Sequence, residues 1–142
     1  MPKCSFDIDG TLLHKRGVQK YAKQLIERGV EVYILTTRWD RTSKICAPNY
    51  YKECGDKSYT QVHKLAKRLG IPIKNCIFTN YQWKGPFMRR YGLQFLWHLD
   101  DNIYDEGVRW WGTTALIDVE KGGWKFKCEK LLNECCETEQ SL

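Results

Sequence analysis

The sequence predicts an α/β protein: a three-layer fold on a central parallel sheet of about five strands. Short β-branched and aromatic runs alternate along the chain with amphipathic stretches at helical spacing. The connections between successive runs are long enough to carry a crossover helix, which parallel strands need and a tight hairpin cannot supply. With 142 residues, the chain is near the usual size of one domain, one that buries roughly two-thirds of its unfolded surface. Residues 1–142 are therefore read as one domain, with a core over about 4–119 and a C-terminal helix and tail over 120–142.

The first strand is expected from Cys4 to Ile8, broken by Asp9-Gly10. A helix follows from Val18 to Arg28, with Tyr21, Ala22, Leu25 and Ile26 on one face and Gly29 as its stop. Val30 to Leu35 is the second strand. Residues 39–57 are irregular, with Pro48 and Gly55, and leave room for short turns or a small insertion. Lys57 to Leu69 reads as a helix, from Val62, Leu65, Ala66 and Leu69. Strands are expected at Ile73 to Phe78, Leu93 to Leu99 and Thr114 to Val119, and helices at Ile103 to Trp111 and Lys125 to Glu137. No element is assigned to residues 79–92.

Composition bounds the function less tightly. The formal net charge of +6 favours anionic partners such as phosphate esters, nucleotides or nucleic acid. The seven cysteines form no CxxC pair, which suits neither a zinc site nor a disulfide framework and fits a reducing, cytoplasmic setting. Cys4 and Cys76 fall in strand-like runs, where a thiol acts as a small hydrophobe. No signal-like or membrane-spanning run occurs in the sequence.

In an open parallel sheet, reactive groups gather where strands end, near the point at which strand order reverses. The first strand ends in Asp7-Ile8-Asp9-Gly10-Thr11, the second in Thr36-Thr37-Arg38 and the fourth in Asp100-Asp101, while the third leads through Asn80 to Lys84. Carboxylates converging on one place repel unless a cation lies among them, and hard oxygen ligands select Mg²⁺. A carboxylate can attack phosphorus and form an aspartyl-phosphate. A second carboxylate can protonate the leaving oxygen and then activate water. Gly10 lets the backbone bring N–H groups close to phosphate oxygens, and Thr36 and Lys84 can hold the rest. His14, His63 and His98 fit no ligand pattern, and His98 is expected simply to pack within a strand.

These residues resemble the motifs of the haloacid dehalogenase (HAD) superfamily. Asp7-Ile8-Asp9-Gly10-Thr11-Leu12 is similar to its first motif, DxDGT, and Ile34-Leu35-Thr36-Thr37-Arg38 to its second. Lys84 stands where the third-motif lysine belongs, with Lys74 and Arg89 as neighbouring alternatives, and Leu96 to Asp101 resembles the fourth. The resemblance covers about residues 4–119 and implies a Rossmann-like phosphatase fold. It also implies roles: Asp7 as nucleophile and metal ligand, and Asp9 as general acid and base with its carbonyl on Mg²⁺. Thr36 and Lys84 would act on the phosphoryl group, Gly10, Thr37 and Arg38 would bind substrate, and Asp100 with Asp101 would complete the metal site. Thr37 departs from the glycine that many members carry there.

The first two motifs lie 29 positions apart, so no large cap domain fits between them, and the resemblance implies an open site suited to large substrates. Arg38, Trp39, Arg41, Tyr50, Tyr51, Tyr81 and Trp83 supply faces that stack bases and charges that meet phosphates. DxDGT, Thr-x-Arg and Asp-Asp together also resemble the phosphatase part of polynucleotide kinase-phosphatases, although the kinase GxxxxGK[ST] loop is absent from this sequence. The expected function is an Mg²⁺-dependent phosphomonoesterase, with nucleotides or nucleic-acid 3′-phosphate ends among its candidate substrates. The alternatives are a catalytically weak scaffold that binds a nucleotide, nucleic acid or protein, and phosphotransfer to an acceptor other than water.

Overall fold

The computed structural model describes residues 1–38, 50–103 and 112–140. Five strands form one sheet: β1 (Lys3–Phe6), β2 (Glu31–Thr36), β3 (Cys76–Phe78), β4 (Trp97–Asp100) and β5 (Ala115–Asp118). Their order is β3-β2-β1-β4-β5, and every neighbouring pair is parallel. The chain steps outward from β1 to β3 and then crosses back to β4, so strand order reverses between β1 and β4.

Alternation along the strands sorts side chains between two unequal cores. Cys4, Phe6, Val32, Ile34, Trp97, Leu99 and Ile117 point to the larger one. There they meet α1 (Arg16–Glu27), α2 (Tyr50–Leu69) and α4 (Trp124–Gln140) through residues such as Tyr21, Leu65 and Leu132. Trp97 packs edge-on to Phe6 at 5.1 Å between ring centroids and stacks on Tyr21 at 6.3 Å. Tyr33 and Leu35, one residue out of phase, face the smaller core with Met88 of α3 (Lys84–Tyr91) and Phe95. Helices on both faces of a buried parallel sheet make the three layers that the alternating pattern predicts. The arrangement is compatible with a Rossmann-like fold.

Several expected boundaries shift, and α3 is an addition. Helix α2 begins at Tyr50, seven residues before the expected start, because Gly55 lies inside the helix at a cost of about 1 kcal/mol and does not end it. Ile73–Asn75 form a turn of tight helix before the three-residue β3, where Asn75 Nδ2 donates to Val32 O at 3.1 Å. Helix α3 carries Gly85 and Pro86 in its first turn, where proline costs little because that N–H has no intrahelical partner. The helix expected from Ile103 to Trp111 falls outside the described residues from 104 onward. Residues 40–49 of the expected insertion, Trp39, Arg41 and Cys46, and the side chains of Tyr50, Tyr51 and Cys54 fall outside them too.

Candidate active site

Strand alternation assembles the site. Ser5 and Asp7 are two residues apart, as are His98 and Asp100, so each pair lies on the face opposite the larger core. Ser5 and His98 are also direct partners in the β1–β4 register. The Asp7 N–H donates to Leu99 O at 2.9 Å and carries that register one residue past the end of β1. Helix α3 covers the same face, and its first residue, Lys84, turns its ammonium inward.

Lys84 is only 1% exposed. Its Nζ donates to Asp7 Oδ1 at 2.9 Å and to Asp100 Oδ2 at 2.6 Å. Asp100 Oδ2 also lies 2.9 Å from His98 Nε2, and His98 Nδ1 lies 2.8 Å from Ser5 Oγ. These contacts fix the tautomer: Nε2 carries the proton and donates to the carboxylate, while Nδ1 accepts from the serine hydroxyl. The 3.2 Å approach of Lys84 Nζ to Nε2 is then a contact between two donors that share one acceptor.

Burial and charge oppose each other here. Burial pushes the Asp7 carboxyl up to about 8 against the pull of Lys84, with Asp100 and Asp101 adding to the rise. Burial also works to raise Asp100, but the His98 hydrogen bond and the Lys84 charge outweigh it and hold Asp100 well below the carboxylate range. Burial and the neighbouring ammonium lower His98 to about 4, so its ring is neutral at pH 7. Burial, then Asp100, raises Asp101.

Asp9 belongs to a different group of contacts. It is mostly exposed, and both its oxygens accept from Arg38, at 2.9 Å from Nε and 2.6 Å from Nη2. Arg38 Nη1 donates in turn to Gln61 of α2 at 2.8 Å. Residues Ile8–Leu12 make one wide turn, in which the Leu12 and Leu13 N–H groups bond to Asp7 O and Ile8 O. Gly10 has φ +73°, and a Cβ there would overlap the Asp101 carboxylate, so only glycine fits this turn. Thr36 is buried at the end of β2, and its hydroxyl accepts the Arg38 N–H at 3.2 Å. The Thr37 carbonyl accepts the Tyr81 N–H at 2.7 Å.

The structure thus brings Asp7, Asp100, Asp101 and Lys84 into one cluster and ties Asp9 to Arg38 at its edge. Thr36 ends β2, and Thr37 and Gly10 lie in the adjoining turns. Lys74 lines a cavity with Met1 and Gly29, and Arg89 is exposed on α3, so the sequence alternatives to Lys84 lie elsewhere. His98, expected only to pack, is in a strand as anticipated but bonds to Asp100. Ser5 and Gln61 carry no sequence motif at all. The signal for Ser5 and His98 was available, however: each is a polar residue in an apolar strand, two positions before an acidic strand end.

Oxygen atoms of Asp7, Asp100 and Asp101 lie within 4.8 Å of one another. Three carboxylates set against the single Lys84 ammonium leave two negative charges when all are ionised. An all-oxygen donor set with that excess suits a hard divalent cation such as Mg²⁺. Lys84 uses one oxygen of Asp7 and one of Asp100; among the described residues, the second oxygens meet neutral donors, Asp7 Oδ2 the Thr11 hydroxyl at 3.5 Å and Asp100 Oδ1 the Asn102 N–H at 3.1 Å.

Fold and site together define an α/β protein with a five-stranded all-parallel sheet and a buried acidic–lysine cluster beside its topological switch point. Comparison with known proteins adds no name to that class: no family model matches the chain, and no curated protein matches it.

Proposed function

We propose that the chain is an Mg²⁺-dependent phosphomonoesterase of the HAD type, acting through an aspartyl-phosphate on Asp7. One observation carries this reading: Asp7 and Asp100 share the buried Lys84 ammonium, with Asp101 alongside, where β1 and β4 end. Pockets in open parallel sheets form at such switch points, and a carboxylate held by one oxygen presents the other for attack. Asp7, Asp100 and Asp101 would hold the metal, which would screen the charge on the phosphoryl oxygens.

In the proposed reaction an Asp7 oxygen attacks phosphorus, the ester P–O bond breaks, and Asp9 gives its proton to the leaving oxygen. Water then attacks the acyl phosphate as Asp9 takes its proton. The bond between phosphorus and the Asp7 oxygen breaks, releasing phosphate and restoring the carboxylate. Lys84 neutralises charge on Asp7 throughout, and the neutral His98 ring holds the Asp100 carboxylate in place through its Nε2–H. Thr36, Thr37 and Gly10 supply donors around the phosphoryl group.

One observation favours the second reading, a binding scaffold without turnover. Arg38 engages both oxygens of Asp9, and turnover requires that grip to loosen. Release of phosphate from an aryl phosphate, dependent on Mg²⁺ and lost in Asp7→Asn, supports the enzyme. Oligonucleotide binding that survives Asp7→Asn, with no turnover by the parent protein, supports the scaffold. Adding an alcohol acceptor and analysing the products separates hydrolysis from phosphotransfer.

A further inference from the structure

From Asp9 a line of polar contacts leads away from the acidic cluster onto α2. Arg38 bridges Asp9 to Gln61, and beyond Gln61 a groove of about 220 Å³ runs between the Asp9 turn and the helix. Leu13, Gln61, Lys64, Leu65 and Arg68 line it. Gln61, Lys64, Leu65 and Arg68 follow the three- and four-residue spacing of one helix face. The opposite wall is braced: Arg68 Nη2 donates to Gln19 Oε1 at 3.1 Å, and Gln19 Nε2 donates to Leu12 O at 2.8 Å and to Leu13 O at 3.2 Å.

Among the described residues, no carboxylate lines this groove. The reason lies in the sequence: residues 57–99 contain eight Lys or Arg and neither Asp nor Glu, and residues 10–26 contain four and again no acid. Within these stretches the groove's walls come from Leu13 and from Gln61, Lys64, Leu65 and Arg68 of α2, and Lys64 and Arg68 are exposed.

We infer that this groove binds the backbone of a single-stranded nucleic acid whose terminal phosphate enters the acidic cluster. The inference rests on the phosphatase reading for the terminal phosphate, while the groove itself does not depend on turnover. Lys64 and Arg68 are one helical turn apart, about 6 Å along the axis, a separation that suits successive phosphates of an extended strand. Leu13 and Leu65 form an apolar floor against which a sugar or base edge packs. A small phosphomonoester would fill the acidic cluster and leave the groove empty. A strand engages both, and electrostatic attraction along it supplies affinity without reading sequence.

The test uses the full chain with three probes: an aryl phosphate, a fluorescent single-stranded oligonucleotide phosphorylated at its 3′ or 5′ end, and a multiply phosphorylated peptide. In Lys64→Gln/Arg68→Gln, the ratio of kcat/KM for the phosphorylated oligonucleotide to that for the aryl phosphate falls about tenfold. The slope of log Kd against log salt becomes shallower by about 0.7 for each charge removed. Lys64→Gln alone, at an exposed position, moves both readouts in the same direction should the double variant fail to fold. An unchanged ratio and slope overturn the inference, as does a peptide that binds as tightly as the oligonucleotide. Aryl phosphate turnover without oligonucleotide binding overturns the groove and leaves the phosphatase standing. Salt-dependent oligonucleotide binding, weakened in the variants but without hydrolysis of any probe, supports the groove and overturns the phosphatase.

Discussion

The two aspartates of the first turn, Asp7 and Asp9, are separated by one residue and live in opposite surroundings. Asp7 is buried against a lysine that is 1% exposed, while the Asp9 side chain is 61% exposed and meets a guanidinium at the rim. Ion pairs of the first kind are costly to break, because removing one partner strands a charge away from water. In the second pair the Arg38 side chain is only 12% exposed, but the carboxylate stands in water, which screens it and lets it exchange partners readily. One residue of chain thus separates a fixed group from a replaceable contact. In the proposed reaction, that division is what the nucleophile and the proton carrier each require.

The sharpest way to break this comparison is Asp7→Asn. The change is nearly isosteric and Lys84 keeps its ion pair with Asp100, so the fold should persist, with a smaller loss of stability than removal of Lys84 brings. Phosphate release, measured with an aryl phosphate and Mg²⁺, should fall by about 10⁴-fold or more. Loss of folding together with activity would remove the distinction between a catalytic and a structural role.

Lys84→Met should lower stability by about 3–5 kcal/mol, since Asp7 and Asp100 would lose their shared cation. Urea unfolding in metal-free buffer measures this, and added Mg²⁺ should recover part of the loss. A change below 1 kcal/mol would mean that the cluster is wetter than its burial implies.

His98→Leu removes the donor to Asp100 and should cost about 1–3 kcal/mol. Its pH dependence has a definite sign. The folded state holds His98 near 4, below the ordinary 6.5, so between those values the unfolded chain takes up a proton that the folded one refuses. The stabilising contribution is whole above about pH 6.5 and is lost as pH falls toward 4. Urea unfolding at a series of pH values should therefore show wild type and variant converging on acidification, by at most about 1.4 kcal/mol per pH unit.

At the rim, Asp9→Asn should change stability by only about 0.2–1 kcal/mol, because the Asp9 carboxylate is exposed. Gln61→Leu should change it by no more, since Gln61 only steadies the guanidinium. A larger loss in either would show that the Asp9 pair is structural and would weaken its assignment as a proton carrier.

Much of this was legible in the sequence, for identifiable reasons. β1 and β2 are buried on both faces, so their apolar runs stand out, and α1 announces itself through Tyr21, Ala22 and Leu25. The acidic ends at Asp7 and Asp100 follow from strand position alone. Helix α3 was not visible, because Gly85 and Pro86 resemble breakers until they are placed in a first turn. Gly55 misled in the same way within α2. Ser5, His98 and Gln61 were missed because their importance comes from pairing: His98 matters only once the register sets it beside Ser5, and Gln61 only once Arg38 reaches it. Local pattern reports propensity, whereas these contacts depend on which strands and helices become neighbours.

The strand order has a consequence for how the molecule opens. β1 is the central strand, flanked by β2 and β4, while β3 and β5 form the sheet edges. Edges fray first and central strands last, and the acidic strand ends belong to β1 and β4. Backbone amide exchange should therefore be slowest around Cys4–Phe6, immediately before Asp7. Partial opening at β3 would release the rim while the carboxylates kept their places, so the acidic cluster is set in the part of the molecule that is last to come apart.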